Sequence, residues 1–148
     1  MVSIRSATLQ DAIHLYLWRI HPSTRTMMRE TGDIRWEDHL AWLKATLDNP
    51  DRYLFVGLCD GQPVGTARLD VEGTEAEISV TVAPECRGAG VGSELIRVAT
   101  QQVLDNQMVT KVMARIKPEN VGSLRAFAKA GYVVVSESES EAILTFKE

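Results

Sequence analysis

The sequence is poor in cysteine, in net positive charge and in long apolar runs, and it carries no internal repeat. Its two cysteines, Cys59 and Cys86, fall in no metal-binding or redox spacing, so reduced thiols are expected and a metal is not. The formal net charge is −4. A nucleic-acid or anionic-membrane binder needs a basic stripe, so neither partner is expected, although a local positive site is compatible with the total. No basic N-terminal end leads into an apolar stretch, and no apolar run approaches the length of a membrane span. The expectation is a soluble, cytoplasmic protein.

What is present is the composition of an ordinary globule, 45% hydrophobic and 24% charged over 148 residues. That length suits one domain over 1–148, burying about two-thirds of the surface its unfolded chain exposes. Residues 2–7 alternate as a strand, and Thr8 opens a helical pattern ending near Trp18. His21-Pro22 breaks it. Ser23 is placed to cap a short helix over 24–30, Gly32 breaks again, and a helix over 36–47 carries Leu40, Leu43 and Leu47 on one stripe. Two β-rich runs, 53–59 and 63–69, flank the hairpin signal Asp60-Gly61, and a third run covers 76–82. A helix over 93–106, a strand over 109–116, a helix over 118–129 closed by Gly131, and strands over 132–135 and 142–146 complete the pattern. The serine- and glutamate-rich stretch 136–141 reads as a solvated hairpin loop rather than a modification tract. The order implies an α/β sheet with helices on both faces.

Between the strand ending at Val82 and the next helix lies Arg87-Gly88-Ala89-Gly90-Val91-Gly92. Glycines let the backbone approach a ligand closely, and the N–H groups of a helix start converge with the helix dipole behind them, so the turn is an anion site. Arg87 adds a charge able to bond phosphate oxygens. A nucleoside-triphosphate loop needs Gly-Lys-Ser/Thr, whereas Gly92 is followed by Ser93-Glu94. A dinucleotide fingerprint needs G-x-G-x-x-G in an early βαβ unit. Here the spacing is G-x-G-x-G, past mid-chain.

The spacing of Arg87, Gly90 and Gly92 resembles the R-x-x-G-x-G turn of the GNAT superfamily of acetyltransferases. The run from Ala76 through Gly88 is similar to that family's central strand and turn. Asn120, Ser123, Phe127, Lys129, Gly131 and Tyr132 resemble its second motif, a helix opened by asparagine and closed by lysine-x-glycine-aromatic. The resemblance implies a GNAT-type fold: a mixed, mostly antiparallel central sheet of about seven strands with helices on both faces, splayed at the cofactor site. It implies acetyl-CoA as co-substrate. Val80, Thr81 and Val82 would bond the pantetheine arm, Asn120 and Ser123 would face the same channel, and the N–H groups of Arg87, Gly88, Ala89, Gly90, Val91 and Gly92 would take the pyrophosphate.

The chemistry implied is direct attack of a neutral amine on the thioester, which needs proximity, a proton acceptor and donors for the oxyanion. The Val82 N–H is the candidate oxyanion donor. Glu77 occupies the position where many relatives keep a glutamate base, with a salt-bridged strand carboxylate as the equal alternative. Ser79 and Thr81 share its strand face and are placed to orient water or substrate. The tyrosine that usually reprotonates the thiolate is replaced by Phe127, and Tyr132 falls in a core-aromatic slot.

Acceptor choice falls to the segment before the hairpin. Trp18-Arg19, Arg25 with Met28, and Asp38-His39 with Trp42 resemble a subgroup whose members acetylate a nucleotide-linked amino sugar in the pseudaminic acid pathway, although Ile20 replaces an asparagine there. Arg19 and Arg25 are suited to a diphosphate, and Trp18 or Trp42 to stacking. A tryptophan at position 42, three residues after His39 on a helix, is more often a core residue than a stacking platform. His39 is a candidate base or a hydrogen-bonded structural histidine. His14 and His21 have no supporting constellation. The expected partner is a small-molecule amine, and the assembly, monomer or homodimer, stays open. An amino acid, a polyamine or a protein N-terminus is the alternative acceptor, and a non-catalytic acyl-CoA-binding module is the alternative from another class.

Overall fold

The computed structural model describes residues 1–25 and 33–147, with the main chain alone at Arg25. The expected helix over 24–30 and the break at Gly32 fall largely outside these residues. The elements are β1 (Val2–Ser6), α1 (Ala12–Ile20), the short α2 (Pro22–Arg25), α3 (Trp36–Asp48), β2 (Arg52–Cys59), β3 (Gln62–Glu72), β4 (Glu75–Val82), α4 (Val91–Asp105), β5 (Lys111–Ile116), α5 (Val121–Ala130), β6 (Tyr132–Glu137) and β7 (Ala142–Phe146). The strands form one seven-stranded sheet in the order β1-β2-β3-β4-β5-β7-β6. Every pair is antiparallel except β4 with β5, whose connection must cross the sheet and does so through α4.

Local chemistry explains most boundaries. Asp60 and Gly61 both take positive φ (52° and 79°), as a two-residue hairpin matched to strand twist requires. Asn120 caps α5, its Oδ1 accepting the Ser123 N–H at 3.1 Å, so that helix starts at Val121 rather than at Pro118. At the chain's start Thr8 and Asp11 form a capping box around a 3-10 turn, Leu9–Asp11, which delays α1 to Ala12. Asp11 is buried and takes a two-pronged bond from Arg5 at 2.8 and 2.9 Å. The expected loop 136–141 is shorter: Ser136 and Glu137 pair with Ile143 and Ala142 as the end of β6, and the β6–β7 turn is 138–141, held by the Ser138 hydroxyl accepting the Ser140 and Glu141 N–H groups.

The sheet separates two cores. On one face α4 and α5 bury Leu95, Ala99, Val103 and Phe127 against Phe55, Leu69, Ile78 and Ala114. On the other, α1 and α3 bury Leu15, Trp18 and Leu43 against Leu54 and Val56. Strand alternation therefore assigns the next residues to the second face. They are Arg52 on β2, Thr66, Arg68 and Asp70 on β3, and Glu77, Ser79 and Thr81 on β4. That polar strip, beneath α1 and α3, is where the site lies.

Candidate active site

Parallel pairing of β4 and β5 runs only through Glu75–Lys111, Ala76–Val112 and Glu77–Met113. Beyond it the strands part. The Ala83 N–H bonds the Val64 carbonyl at 2.8 Å. Antiparallel pairs alternate, so Thr81–Thr66 and Ser79–Arg68 are the hydrogen-bonded pairs. Ile78, Val80 and Val82 then turn their main-chain groups toward the β5 side, into the opening. The Val82 carbonyl there accepts the Arg87 Nε–H at 3.2 Å.

The opening leads into a cleft of about 500 Å³. One wall holds Ile78, Ser79, Val80 and Thr81 of β4, with Ile116 and Lys117 opposite and Asn120, Ser123 and Phe127 of α5 beside them. The far wall brings Trp18, Arg19, Thr24 and Trp42 together with Arg52 and Arg68. Four residues expected at the cofactor (Val80, Thr81, Asn120, Ser123) and three expected at the acceptor (Trp18, Arg19, Trp42) thus meet in one cavity. The Arg25 side chain lies outside the described residues.

At the far end of β4 the glycine turn has the conformation its composition implies. Gly88 and Gly90 have φ of 83° and 79°, in the left-handed region where a side chain is strained. Gly90 caps α4, leaving the first-turn N–H groups of that helix without intrahelical acceptors. A Cβ at Gly92 would stand 3.3 Å from Val82 Cγ2 and 3.7 Å from Ala126, so the glycine also lets α4 seat against β4 and α5. Ala89 and Gly90 line a recess completed by Ser93, Glu94, Arg97 and Lys129.

Arg87 departs from the expectation. Its N–H points to the Pro84 carbonyl at 3.5 Å, and its guanidinium bonds Val82, Ser23 and Thr24. It braces α2 against the end of β4 rather than facing the recess. Arg97 and Lys129 are the cations beside the turn. Helical spacing gives the reason: Arg97 follows Ser93 by one turn of α4.

His39 is also reassigned. The ring has no exposed surface. Its Nδ1 lies 2.9 Å from Arg19 Nη1 and its Nε2 3.0 Å from the Ala12 carbonyl. A guanidinium only donates, so Nδ1 accepts and Nε2–H donates to Ala12. Burial holds the imidazole pKa below its ordinary value; the Ala12 carbonyl pulls it up and Arg19 pushes it down. With both nitrogens occupied in the interior, His39 does not line the cleft. It orients Arg19, whose guanidinium lies 4.3 Å from the Trp42 ring centre. Trp42, half-buried, does both things its position allows: it packs against the second core and on the His39 ring, and it lines the cleft.

Glu77 does not line the cleft. It lies on β4 3.4 Å from Arg115, which does, and Arg115 also bonds Glu141 at 2.8 Å. Among the described residues lining the cleft there is no carboxylate, imidazole, thiol or phenol. Phe127 is buried edge-to-face on Tyr132, whose hydroxyl bonds Thr100 at 2.7 Å. Burial pushes that phenol far above its ordinary value, so Tyr132 stays a protonated core residue, as its slot implied.

The model of the acetyltransferase (GNAT) family matches residues 10–132. The chain belongs to that family. By sequence, no curated protein matches this acetyltransferase. Among solved structures it is similar to the aminoglycoside acetyltransferase AAC(6')-Ib in complex with ribostamycin and coenzyme A. That match has a TM-score of 0.85 and 21% identity, covering 97% of this chain and 91% of that one. It is similar to a spermidine N-acetyltransferase chimera of Vibrio cholerae SpeG and hSSAT, with TM-score 0.85, 14% identity and coverage of 98% and 94%. The Campylobacter jejuni N-acetyltransferase PseH matches with TM-score 0.76 and 16% identity over 99% and 98%. At such identities the likeness is one of fold.

The sequence reading missed Arg52, Arg68, Arg115 and Lys117. A signal existed. Arg68 sits between Ala67 and Leu69, both fully buried, in a strand with helices on either face. A guanidinium there has to have a polar cavity to face.

Proposed function

We propose that this acetyltransferase moves the acetyl group of acetyl-CoA to the primary amine of a small acceptor, by direct attack within a ternary complex. The observation that carries the reading is the parted β4–β5 edge opening into a cleft that runs from the α5 cap to the Arg19–Trp42 wall. Main-chain groups of Val80 and Val82, with the Asn120 amide and Ser123, are suited to the pantetheine arm. The recess at Ala89 and Gly90, with the first-turn N–H groups of α4 and the cations Arg97 and Lys129, is suited to the pyrophosphate.

In the reaction the amine lone pair attacks the thioester carbonyl carbon, the C–S bond breaks, and an amide and the coenzyme's thiolate result. The Val82 N–H turns into the β4–β5 opening and would stabilise the charge developing on the carbonyl oxygen there. The amine's proton leaves through water, held by Ser79 and passed toward Glu77 on the same strand face. With Phe127 in the usual acid's place, the thiolate takes its proton from solvent.

The acceptor we favour is an amino sugar carried on a nucleotide. Arg19 and Trp42 share one wall, a base-and-phosphate combination, which Trp18, buried in the second core, backs from behind. A second reading, acyl-CoA binding without turnover, draws on Phe127 and on the lack of a carboxylate, imidazole, thiol or phenol among the described lining residues.

Release of free thiol from acetyl-CoA over a panel of amino sugars, amino acids and polyamines separates the two. Thiol release with at least one amine, together with thermal stabilisation by coenzyme A, is the expected result; stabilisation without release from any amine would establish the binding module. Glu77→Gln is expected to lower kcat at unchanged coenzyme A affinity. An unchanged pH–rate profile in that variant would give the proton to bulk water.

A further inference from the structure

Arg52 and Arg68 project from neighbouring strands into the acceptor end of the cleft, and both lean on one carboxylate. Each Nε lies 3.2 Å from Asp70 Oδ1. Among the described residues one carboxylate meets the two guanidiniums and cannot neutralise both, so the pair keeps an excess positive charge. The contact is ionic rather than a well-aligned hydrogen bond, since Arg68 Nε and Asp70 Oδ1 are both buried without a hydrogen-bond partner. Both contacts use Nε. The Nη donors of Arg52 and Arg68 find no hydrogen-bond acceptor among the described residues, while both side chains line the cavity.

Position fixes what they can meet. The Arg68 guanidinium lies 5.9 Å from the Trp42 ring centre, the ring that Arg19 also covers. Arg68 pairs across the ladder with Ser79, one strand-turn before the open Val80–Val82 edge. The nearby acids, Asp70, Glu77 and Glu141, stand behind guanidiniums and do not line the cavity. A ligand entering here meets N–H donors and positive charge. A polycationic amine would face like charge, whereas an anionic oxygen group would gain charge-assisted bonds.

We infer that Arg52 and Arg68 form an anion subsite for the acceptor: the amine that is acetylated belongs to a molecule bearing a carboxylate or phosphate. This rests on the acetyltransferase reading and narrows it. The two guanidiniums fork toward the anion, Asp70 fixes their Nε ends, and the anion's position sets the distance from the amine to the β4 edge. Carboxylate and phosphate offer the same oxygens, and only their sources differ.

The test uses matched acceptors with coenzyme A or acetyl-CoA saturating, so that the glycine turn is already filled. Glucosamine 1-phosphate against glucosamine is the phosphate arm, serine against serinamide is the carboxylate arm, and putrescine is the polycation. Thermal shift with coenzyme A reads binding, and thiol release from acetyl-CoA reads kcat/KM. The anionic member of at least one pair is expected to exceed its neutral partner by about tenfold or more, as a charge-assisted bond pair implies. That preference is expected to collapse toward one in Arg52→Gln and in Arg68→Gln, and to return in part in Arg68→Lys. Arg52 is the less committed of the two, so its variant guards against misfolding, which circular dichroism and melting would reveal. Equal or better binding of the neutral members or putrescine, or loss that is uniform across all acceptors in both variants, would overturn the inference. Failure of coenzyme A itself to stabilise the protein would instead sink the acetyltransferase reading, and the matched acceptors would still report on the subsite by thermal shift.

Discussion

Gly65 offers a way to move the candidate oxyanion donor without touching the glycine turn or the acceptor wall. It lies on β3 directly opposite Val82. A Cβ built there would stand 2.5 Å from the Thr81 carbonyl oxygen and 3.1 Å from Val82 Cα, both main-chain atoms that cannot swing aside. Restoring the first contact to an ordinary 3.4 Å needs a shift of about 0.9 Å in β4. Overpacking of this kind costs about 1–3 kcal/mol. A displacement near 1 Å at reacting groups costs about a hundredfold in rate. Gly65→Ala is therefore expected to remain folded with a lowered melting temperature, to lose part of its coenzyme A affinity because the same strand serves the pantetheine arm, and to lose about two orders of magnitude in kcat, measured as thiol release at saturating substrates. Gly57→Ala is the control. It sits opposite Gly65 on β2, and its added Cβ meets only the Leu95 side chain, at 2.8 Å. That variant should lose stability with kcat within a few-fold. A folded Gly65→Ala enzyme with wild-type kcat would show that the Val82 main chain has no part in the rate.

Three further perturbations separate the remaining assignments. Gly90→Glu puts a carboxylate and a forbidden φ of 79° at the turn, so it should abolish coenzyme A binding by calorimetry; retained affinity would place the pyrophosphate elsewhere. Arg87→Met should leave coenzyme A binding within a few-fold and raise the acceptor KM, because it frees Ser23 and Thr24 of α2; the opposite pattern would return Arg87 to the phosphates. Because His39 has its pKa held below the ordinary 6.5, the unfolded chain takes up that proton first, and the stability it contributes is present above pH 6.5 and lost as pH falls through the folded value. His39→Gln, which can both donate to Ala12 and accept from Arg19, should flatten that part of the melting-temperature profile between pH 5 and pH 7; an unaltered slope would refute the neutral buried assignment.

The parts legible in the sequence are those fixed by local backbone chemistry. Gly90 has to adopt a left-handed conformation to start α4, Asn120 has to cap α5, and Asp60-Gly61 has to turn a hairpin, and each has a residue type that announces it. The less legible parts depend on side chains from distant segments. Arg87 was expected at phosphate because spacing says which turn it belongs to, while its rotamer is set by Ser23 and Thr24, more than sixty positions away in the chain. Trp42 faces the cleft because Arg19 and Arg68 approach its ring, a contact among α1, α3 and β3 that no local pattern encodes.

His39 joins these two kinds of information. Its Nε2–H is fixed to the Ala12 carbonyl at the start of α1, and its Nδ1 holds Arg19 near the end of the same helix. The imidazole therefore spans α1 from within the core and sets the guanidinium over Trp42. Protonation would put an N–H against another N–H at the Arg19 contact and add a second positive charge in a buried place. The two bonds, which the neutral imidazole alone makes together, thus tie the Arg19–Trp42 wall to the start of α1. A buried histidine outside the cleft lining thereby helps to position one guanidinium of the wall.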